Sequence, residues 1–185
     1  MKRVFDTTMS VLALVLLSPL LGAVALLVLI DDGRPVIYRQ ARVGKGNQLF
    51  QIRKFRTMRR DTECLAQNDM RGRDDCYTRT GKLLRALSLD ELPQLLNILD
   101  GTMSFVGPRP LIPEEDDIRQ KRAAARIYDV LPGMTGWAQV NGRANVSADE
   151  KVAFDAEYLQ KQSFWFDLKI LFITAWQVIR RKDVG

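Results

Sequence analysis

Residues 88–110 read SLDELPQLLNILDGTMSFVGPRP, and this stretch predicts the central part of the fold. Ser88 is a favoured helix N-cap residue, and Glu91 three positions later completes the pattern of a capping box. Gly101 is typical of a helix end, because glycine readily adopts the left-handed conformation. We therefore expect a helix that runs from Ser88 almost to Gly101, followed by a rigid Gly-Pro-Arg-Pro turn at 107–110.

The chemistry of this stretch lies in two adjacent acids, Asp90 and Glu91, and in Arg109. Acids are common in the first turn of a helix, where they complement its dipole, so the pair alone does not establish a site. Adjacent helical residues point about 100° apart, however, so one carboxylate can attack phosphorus while the other holds Mg²⁺. Flanking prolines fix the backbone of Arg109, whose planar guanidinium matches phosphate oxygens. The stretch therefore indicates phosphoryl chemistry, with a helix start and a solvated turn as the alternative.

Composition limits the classes of protein that remain. A chain of 185 residues can form one domain with a real core, and a net charge of +6 suggests an anionic partner: a membrane surface, a nucleic acid or a phosphorylated substrate. The sequence contains no histidine, which excludes Ser-His-Asp triads and His-ligated zinc. Cys64 and Cys76 lack metal-type spacing, so we expect reduced thiols in a cytosolic compartment.

An apolar run from Met9 to Ile30 precedes this chemistry. A straight helix of that length would cover roughly 33 Å, enough to cross a bilayer. No cleavage site follows the run, which argues against a signal peptide. Pro19 breaks or kinks the helix, Ser18 can satisfy a freed carbonyl, and basic residues lie on both flanks. Residue composition is compatible with two arrangements: a spanning anchor, which it slightly favours, and a re-entrant helix that bends at Ser18-Pro19.

Between the apolar run and the acidic pair, residues 36–58 show the alternation of a β-hairpin around a Gly-Lys-Gly-Asn turn. This turn lacks the spacing and the following helix of a phosphate-binding P-loop. Lys54 and Arg56 would share one face of the second strand, as a phosphate-binding pair or as a solvated basic face. Residues 59–80 are polar, and we expect a loop there whose role the sequence does not specify.

Beyond residue 110 the pattern is mainly helical. We expect a charged helix over 112–130, a loop with a short strand over 132–143, and a helix from Ala148 to about Gln160 that is capped by Ser147. The final predicted helix, about 164–181, is amphipathic and carries two tryptophans and a basic end. That pattern is typical of a helix lying in a membrane interface, and equally of one packed on a core.

Several motifs together resemble the monotopic phosphoglycosyl transferases, a family of bacterial sugar transferases, over nearly the whole chain. The matching stretches are Lys2-Arg3 with Asp6, Ser18-Pro19, Lys54–Met58, Ser88–Gln94, Met103–Pro110, Pro132–Trp137 and Gln139–Arg143. The resemblance implies an α+β, mainly helical fold with a re-entrant membrane helix at 1–32 and a catalytic domain at 33–185. The resemblance favours the re-entrant helix over the spanning anchor, because these enzymes enter one leaflet through a helix broken at a Ser-Pro pair. It also implies a small, minimal form of the family, in which amphipathic interfacial helices surround the active site.

The resemblance also implies a reaction. Such enzymes move a phospho-sugar from a UDP-sugar to undecaprenyl phosphate, releasing UMP through a covalent aspartyl intermediate. Asp90 matches the nucleophile, and Glu91 matches the acid tied to Mg²⁺, so both are expected at the metal. The residues expected to bind the substrate phosphates are Lys54, Arg56, Arg109, Arg143 and, as a further polar residue, Asp155.

The implied partners are the UDP-sugar, undecaprenyl phosphate and membrane lipid, with no nucleic acid. A homodimer or downstream glycosyltransferases are further possible partners. The expected place is the cytoplasmic face of the bacterial inner membrane, where the reaction would initiate assembly of a polysaccharide or glycoprotein glycan. Two rivals remain: a non-catalytic, membrane-anchored module that binds polyanions, and an assembly scaffold. The polyanion-binding module leaves the Asp90-Glu91 pair before Arg109 without an explanation.

Overall fold

The computed structural model describes residues 1–59, 76–142 and 147–180, and helices lie at both ends of this described part. The helices in these ranges are α1 (Lys2–Leu16), α2 (Ser18–Asp32), α3 (Arg79–Ala86), α4 (Gln94–Asp100), α5 (Asp116–Ala124), α6 (Trp137–Asn141), α7 (Ala148–Lys161) and α8 (Phe164–Ile179). The strands are β1 (Ile37–Val43), β2 (Leu49–Phe55), β3 (Ser104–Val106) and β4 (Gly133–Thr135). The predicted α+β, mainly helical class is confirmed.

The apolar run forms a bent pair of helices, α1 and α2, whose axes differ by 65°. The break lies at Leu17, immediately before Ser18-Pro19, and the Ser18 hydroxyl donates a 2.8 Å hydrogen bond to the carbonyl of Val15. No single helix in the described ranges is long and apolar enough to cross a membrane, whereas α1 and α2 together are. Large apolar side chains on both helices are exposed, including Leu16 at 77% and Ile30 at 75%. The pair therefore presents an apolar surface that the rest of the described chain does not cover.

Polar side chains of α1 attach this pair to the rest of the protein. Ser10 is fully buried, and its hydroxyl donates to the carbonyl of Leu95 at 2.6 Å. Arg3 donates to the carbonyls of Ile98 and Leu99, which lie in the last turn of α4. Helix ends leave such carbonyls without intrahelical partners, so α1 supplies the C-terminal donors that α4 needs.

The hairpin predicted over 36–58 is confirmed over residues 37–55, where β1 pairs antiparallel with β2 from Ile37↔Phe55 to Val43↔Leu49. Gly46 adopts a positive φ of 66° in the connecting turn, which glycine tolerates. Buried Asn97 of α4 joins the hairpin by accepting from the Arg53 amide at 3.0 Å and donating to the Gln51 carbonyl at 2.8 Å. This contact holds α4 against the strand that carries Lys54.

A second, parallel ribbon joins β3 to β4 through Ser104↔Gly133 and Val106↔Thr135. A Cβ added at Gly133 would lie 2.1 Å from the Gly107 nitrogen, so only glycine permits this approach. The predicted loop at 132–143 is thus partly regular, because it contains both β4 and α6. The close approach places the turn at 107–110 directly beside β4.

Three clusters of buried side chains hold these elements together. The first joins α2, β2 and α3, the second joins β2, α4 and the chain before β3, and the third joins β3, α7 and α8. Their central members are Val24, Val28, Phe55 and Leu84; Ile52, Leu95, Ile98 and Met103; and Val106, Tyr158 and Ile170. The strand β2 takes part in the first two clusters and so links α2 to α4, whereas α1 also contacts α8 directly through Lys2 and Asp167 at 2.5 Å.

Two predicted helices differ from the structure. Ser88 has a positive φ of 55° and makes no capping hydrogen bond; residues Leu89–Glu91 form a 3₁₀ turn instead, and α4 begins only at Gln94. The predicted capping box is wrong because the Glu91 carboxylate contacts cationic side chains rather than the Ser88 amide. The helix expected over 112–130 is confined to α5, since Arg126, at a φ of 57°, ends that conformation.

The C-terminal helices follow the sequence pattern more closely. Ser147 and Glu150 form a capping box at the start of α7, as the N-cap prediction required. On α8, Ile170 is fully buried, whereas Trp165 is 77% and Phe172 71% exposed. The predicted end of α8 at 181 lies outside the described residues. The described part of α8 therefore has an outward apolar face in addition to the face that packs on the core.

Candidate active site

Asp90 and Glu91 lie on the 3₁₀ turn Leu89–Glu91, between α3 and α4. Asp90 is 7% exposed. Burial raises the pKa of the Asp90 carboxyl, and the positive charge of Lys54 opposes that rise. Glu91 adds a like charge that raises the pKa further, while Arg85, on α3, lowers it. Asp90 is thus a desolvated, relatively basic carboxyl beside cations, which is suitable for a nucleophile.

Glu91 lies in a different electrostatic environment. Its Oε1 is 2.6 Å from Lys54 Nζ and 3.3 Å from a guanidinium nitrogen of Arg109. Burial acts to raise the pKa of Glu91, but Arg109 and Lys54 outweigh it, and the pKa is lowered to about 2. Glu91 is therefore ionised at neutral pH. The two adjacent carboxyls have pKa values shifted in opposite directions, the arrangement expected of groups with separate roles.

A small open cleft exposes Glu91, Lys54 and Arg109, while buried Asp90 lies next to Glu91 behind its lining. Its walls come from the hairpin, α4, the 107–110 turn and β4, and they consist of Arg42, Ile52, Lys54, Glu91, Gln94, Arg109, Pro110 and Gly133. Burial lowers the pKa of Lys54, and Glu91 opposes that shift. Three cationic side chains thus line one small cleft, which favours a ligand with several negative charges.

Arg42 and Arg85 are site residues that the sequence analysis missed. Arg42 lies on β1 and donates to the Gln40 side chain at 2.6 Å. The guanidinium of Arg85 lies 4.9 Å from the ring centre of Tyr77 and influences Asp90 electrostatically. Strand alternation places Arg42 on one face of β1, but only the packing of the 107–110 turn against that face shows that it lines the cleft.

The structure places Arg56, one of the predicted phosphate-binding residues, outside the cleft. Arg56 is 6% exposed, forms a 2.8 Å ion pair with Asp32 and donates to the Gly33 carbonyl at 2.8 Å. It does not line the cleft, because β2 ends at Phe55 and the alternation that paired it with Lys54 ends there too. Arg143 lies outside the described residues.

Asp155 is also away from the cleft surface. It is 1% exposed on α7 and pairs with Arg122 of α5 at 2.5 Å. Burial raises the pKa of Asp155, and Arg122 opposes the rise. Arg122 also donates to the backbone carbonyl of Arg109 at 2.7 Å. Sequence reasoning missed Arg122, since a buried arginine in a charged helix has the same local pattern as an exposed one.

The donor set limits how a metal could bind. Within the described residues, no three Cys, Asp or Glu side chains come together as a metal cluster. Mg²⁺ commonly binds through one or two carboxylates, with substrate phosphates and waters completing its shell. Ionised Glu91 and adjacent Asp90 fit that requirement, provided that a phosphorylated ligand occupies the cleft.

Comparison with known proteins connects this geometry to a family. A family model described as bacterial sugar transferase matches residues 1–181. An undecaprenyl-phosphate glucose phosphotransferase of Komagataeibacter xylinus is 43% identical over 94% of this chain, which spans 35% of that relative. A UDP-glucose:undecaprenyl-phosphate glucose-1-phosphate transferase of Escherichia coli is 40% identical over 96% of this chain and 40% of its own length. The exopolysaccharide production protein ExoY of Sinorhizobium fredii is 41% identical over 94% of this chain and 83% of its own length.

Proposed function

This chain belongs to the bacterial sugar transferase family, and on that premise we propose that it transfers a phospho-sugar from a UDP-sugar to undecaprenyl phosphate, releasing UMP. The names of the relatives support both substrates. The observation that carries the proposal is the cleft in which ionised Glu91, 2.6 Å from Lys54 and 3.3 Å from Arg109, stands next to buried Asp90. A carboxylate pair among cations suits a diphosphate ester under attack.

In the first step, a carboxylate oxygen of Asp90 attacks the phosphorus that is bonded to the sugar oxygen. The bond from that phosphorus to the bridging oxygen of the diphosphate breaks, and UMP leaves with the electron pair. In the second step, a phosphate oxygen of undecaprenyl phosphate attacks the same phosphorus, and the bond to Asp90 breaks. Lys54 and Arg109 neutralise the phosphate charge in both steps, so no histidine is needed.

We assign the Mg²⁺ site of this reaction to Asp90 and Glu91. When bound, the ion would supply Lewis-acid neutralisation of the donor phosphates. Glu91 serves this role because its lowered pKa keeps it ionised, and because oxygen ligands are those that Mg²⁺ prefers. Lys54 orients the Glu91 carboxylate by contacting Oε1 at 2.6 Å, and a Glu91 carboxylate oxygen would hold the ion.

The proposed location is the cytoplasmic face of the bacterial inner membrane. The bent pair α1–α2, with its uncovered apolar surface, supports a re-entrant element that enters one leaflet. Exposed Trp165 and Trp176 on α8 support an interfacial position for that helix. In this arrangement the cleft meets a lipid-borne acceptor at the membrane surface, and the product would initiate assembly of a polysaccharide or glycoprotein glycan.

The direct test is UMP release from a broad panel of UDP-sugars by detergent-solubilised protein with Mg²⁺ and undecaprenyl phosphate. We expect release from at least one sugar, and expect Asp90→Asn to abolish both release and labelling of the protein by donor carrying a radiolabelled sugar. Asp100→Asn is the matched control, because Asp100 lies outside the cleft and forms an exposed ion pair with Arg53. No release from any sugar would refute the enzyme and favour the polyanion-binding module; near-normal release by Asp90→Asn would exclude Asp90 as nucleophile.

A further inference from the structure

The 107–110 turn is held from behind by a buried ion pair. Arg122 of α5 is 3% exposed and Asp155 of α7 is 1% exposed. One terminal nitrogen of Arg122 contacts Asp155 Oδ2 at 2.5 Å, while the other donates to the Arg109 carbonyl at 2.7 Å. The guanidinium thus bridges a buried carboxylate and the backbone of the residue whose side chain reaches Glu91.

The bridge acts on a side chain that packing does not hold. The side chain of Arg109 is 44% exposed, although its guanidinium must lie at a fixed place in the cleft to contact Glu91 at 3.3 Å. Prolines on both sides restrict the Arg109 backbone, so fixing its carbonyl orientation also fixes the direction of its Cα–Cβ bond. Charged donors make stronger hydrogen bonds than neutral ones, which suits Arg122 to this purpose.

Stability alone does not account for the arrangement. Replacing a buried ion pair by apolar residues of similar volume is often neutral or stabilising, so a buried pair is weak evidence for a purely structural role. A buried guanidinium needs acceptors besides one carboxylate, but the stability of the pair does not require that this acceptor be the backbone of a residue in the cleft. The second arm, which reaches the Arg109 carbonyl 13 residues away in sequence, is the feature that a positioning role explains.

We infer that Arg122 and Asp155 are a positioning pair that orients Arg109 toward the phosphates of the donor, and that Asp155 does not contact the donor itself. The inference rests on the proposed function, because it takes the cleft to be the donor site. Asp155 fixes the orientation of Arg122, Arg122 fixes the Arg109 backbone, and Arg109 faces the cleft. Arg122 also neutralises the negative charge of Asp155, which would otherwise repel the phosphates of the donor.

A double-mutant cycle tests this inference, with binding of UDP in the presence of Mg²⁺ as the probe. Arg122→Lys keeps a cation for Asp155 but loses the fork that reaches two acceptors at once. We expect it to weaken UDP binding about tenfold, as for loss of one charge-assisted hydrogen bond. In an Arg109→Ala background the same substitution should change UDP binding less than about twofold, because no side chain remains to be oriented.

Two further variants complete the experiment. Asp155→Asn should reproduce the tenfold loss in the wild-type background and the small effect in the Arg109→Ala background. Arg119→Lys is the control on α5, since Arg119 is in contact with Asn47 and Pro113 rather than with the turn. Melting temperatures establish that each variant is folded.

The outcomes separate the two claims. If Arg122→Lys weakens UDP binding equally in both backgrounds, or in neither, the positioning role is refuted while the proposed function stands. If the wild-type protein neither binds UDP nor releases UMP from any UDP-sugar, the proposed function is refuted together with the inference that rests on it.

Discussion

Replacing Lys54 with methionine should affect catalysis much more than stability. Lys54 contacts Glu91 Oε1 at 2.6 Å, and each side chain is 19% exposed. Removing a cation that directly neutralises phosphate charge in a transition state typically costs a factor of about 10²–10³. We therefore expect kcat/KM for the donor to fall by roughly that factor.

The stability effect is smaller because two contributions oppose each other. Removing one partner of a buried pair usually costs about 3–5 kcal/mol. Here Arg109 remains as a partner for Glu91. The substitution also removes an ammonium group whose burial costs free energy, because desolvation lowers the pKa of Lys54. We therefore expect the free energy of unfolding to fall by only about 1–3 kcal/mol.

The pH dependence has a defined sign. The folded-state pKa of Glu91 is depressed from 4.5 to about 2, so its ionisation stabilises the fold above pH 4.5, and this contribution is lost as pH falls toward 2. The difference converts to about 3 kcal/mol. Because Lys54→Met raises the pKa of Glu91, part of this contribution disappears, and the difference in stability between variant and wild type should narrow as the pH falls from about 4.5 toward 2. The substitution also removes the charge that opposes the raised pKa of Asp90, so the acidic limb of the rate profile should move to higher pH.

The assay combines UMP release over pH 5 to 9 with thermal melting at pH 7 and at pH 4. Lys161→Met is the control, because Lys161 forms an exposed ion pair with Glu157 on the surface of α7. A Lys54→Met protein with unchanged kcat/KM and an unmoved acidic limb would refute the assignment of Lys54 to the phosphates. A loss of activity that paralleled a similar loss of folded protein would instead assign Lys54 to stability alone.

Two other predictions follow from packing and from the bent pair. Gly133→Ala should lower stability by about 1–3 kcal/mol in thermal melting, because its Cβ would lie 2.1 Å from the Gly107 nitrogen, whereas Gly22→Ala, which meets nothing within 4 Å, should be tolerated. Equal melting temperatures for the two variants would contradict the close approach of β3 and β4. Cysteine tags before Met1 and after Gly185, in intact cells, should both be shielded from a reagent that reaches only the periplasm, and labelling of the N-terminal tag alone would show a spanning helix.

The sequence predicted elements whose signals are local. The hairpin follows from the alternation in β1 and β2 and from the glycine-containing turn, and the start of α7 follows from the spacing of Ser147 and Glu150. The same spacing at Ser88 and Glu91 gave a wrong helix start. There the Glu91 carboxylate has distant partners, Lys54 and Arg109, which local spacing does not encode.

Side-chain roles that depend on tertiary contacts were not predictable in this way. Arg122 acquires its place only when α7 brings Asp155 to it across 33 residues of sequence. Arg56 is next to the predicted site in sequence, yet it forms an ion pair with Asp32 at the end of α2 and does not line the cleft. Periodicity identifies a face of a strand or helix, but the partner of that face is set by the fold.

The contacts of α1 and α2 also explain why a bent pair, rather than a straight helix, belongs to this fold. Arg3 holds the carbonyl of Leu99 in α4, and Asp32 at the other end of the pair holds Arg56 beyond β2. Both attachment points belong to one connected assembly, because Asn97 of α4 accepts from the Arg53 amide of β2 at 3.0 Å. A straight helix from residue 2 to residue 32 would hold its ends roughly 46 Å apart, whereas two halves inclined at 65° hold them roughly 39 Å apart. The bend between α1 and α2 therefore shortens the distance between the Arg3 and Asp32 contacts, so the feature that shapes the apolar surface also helps to connect α4 and the Lys54 strand beside Glu91.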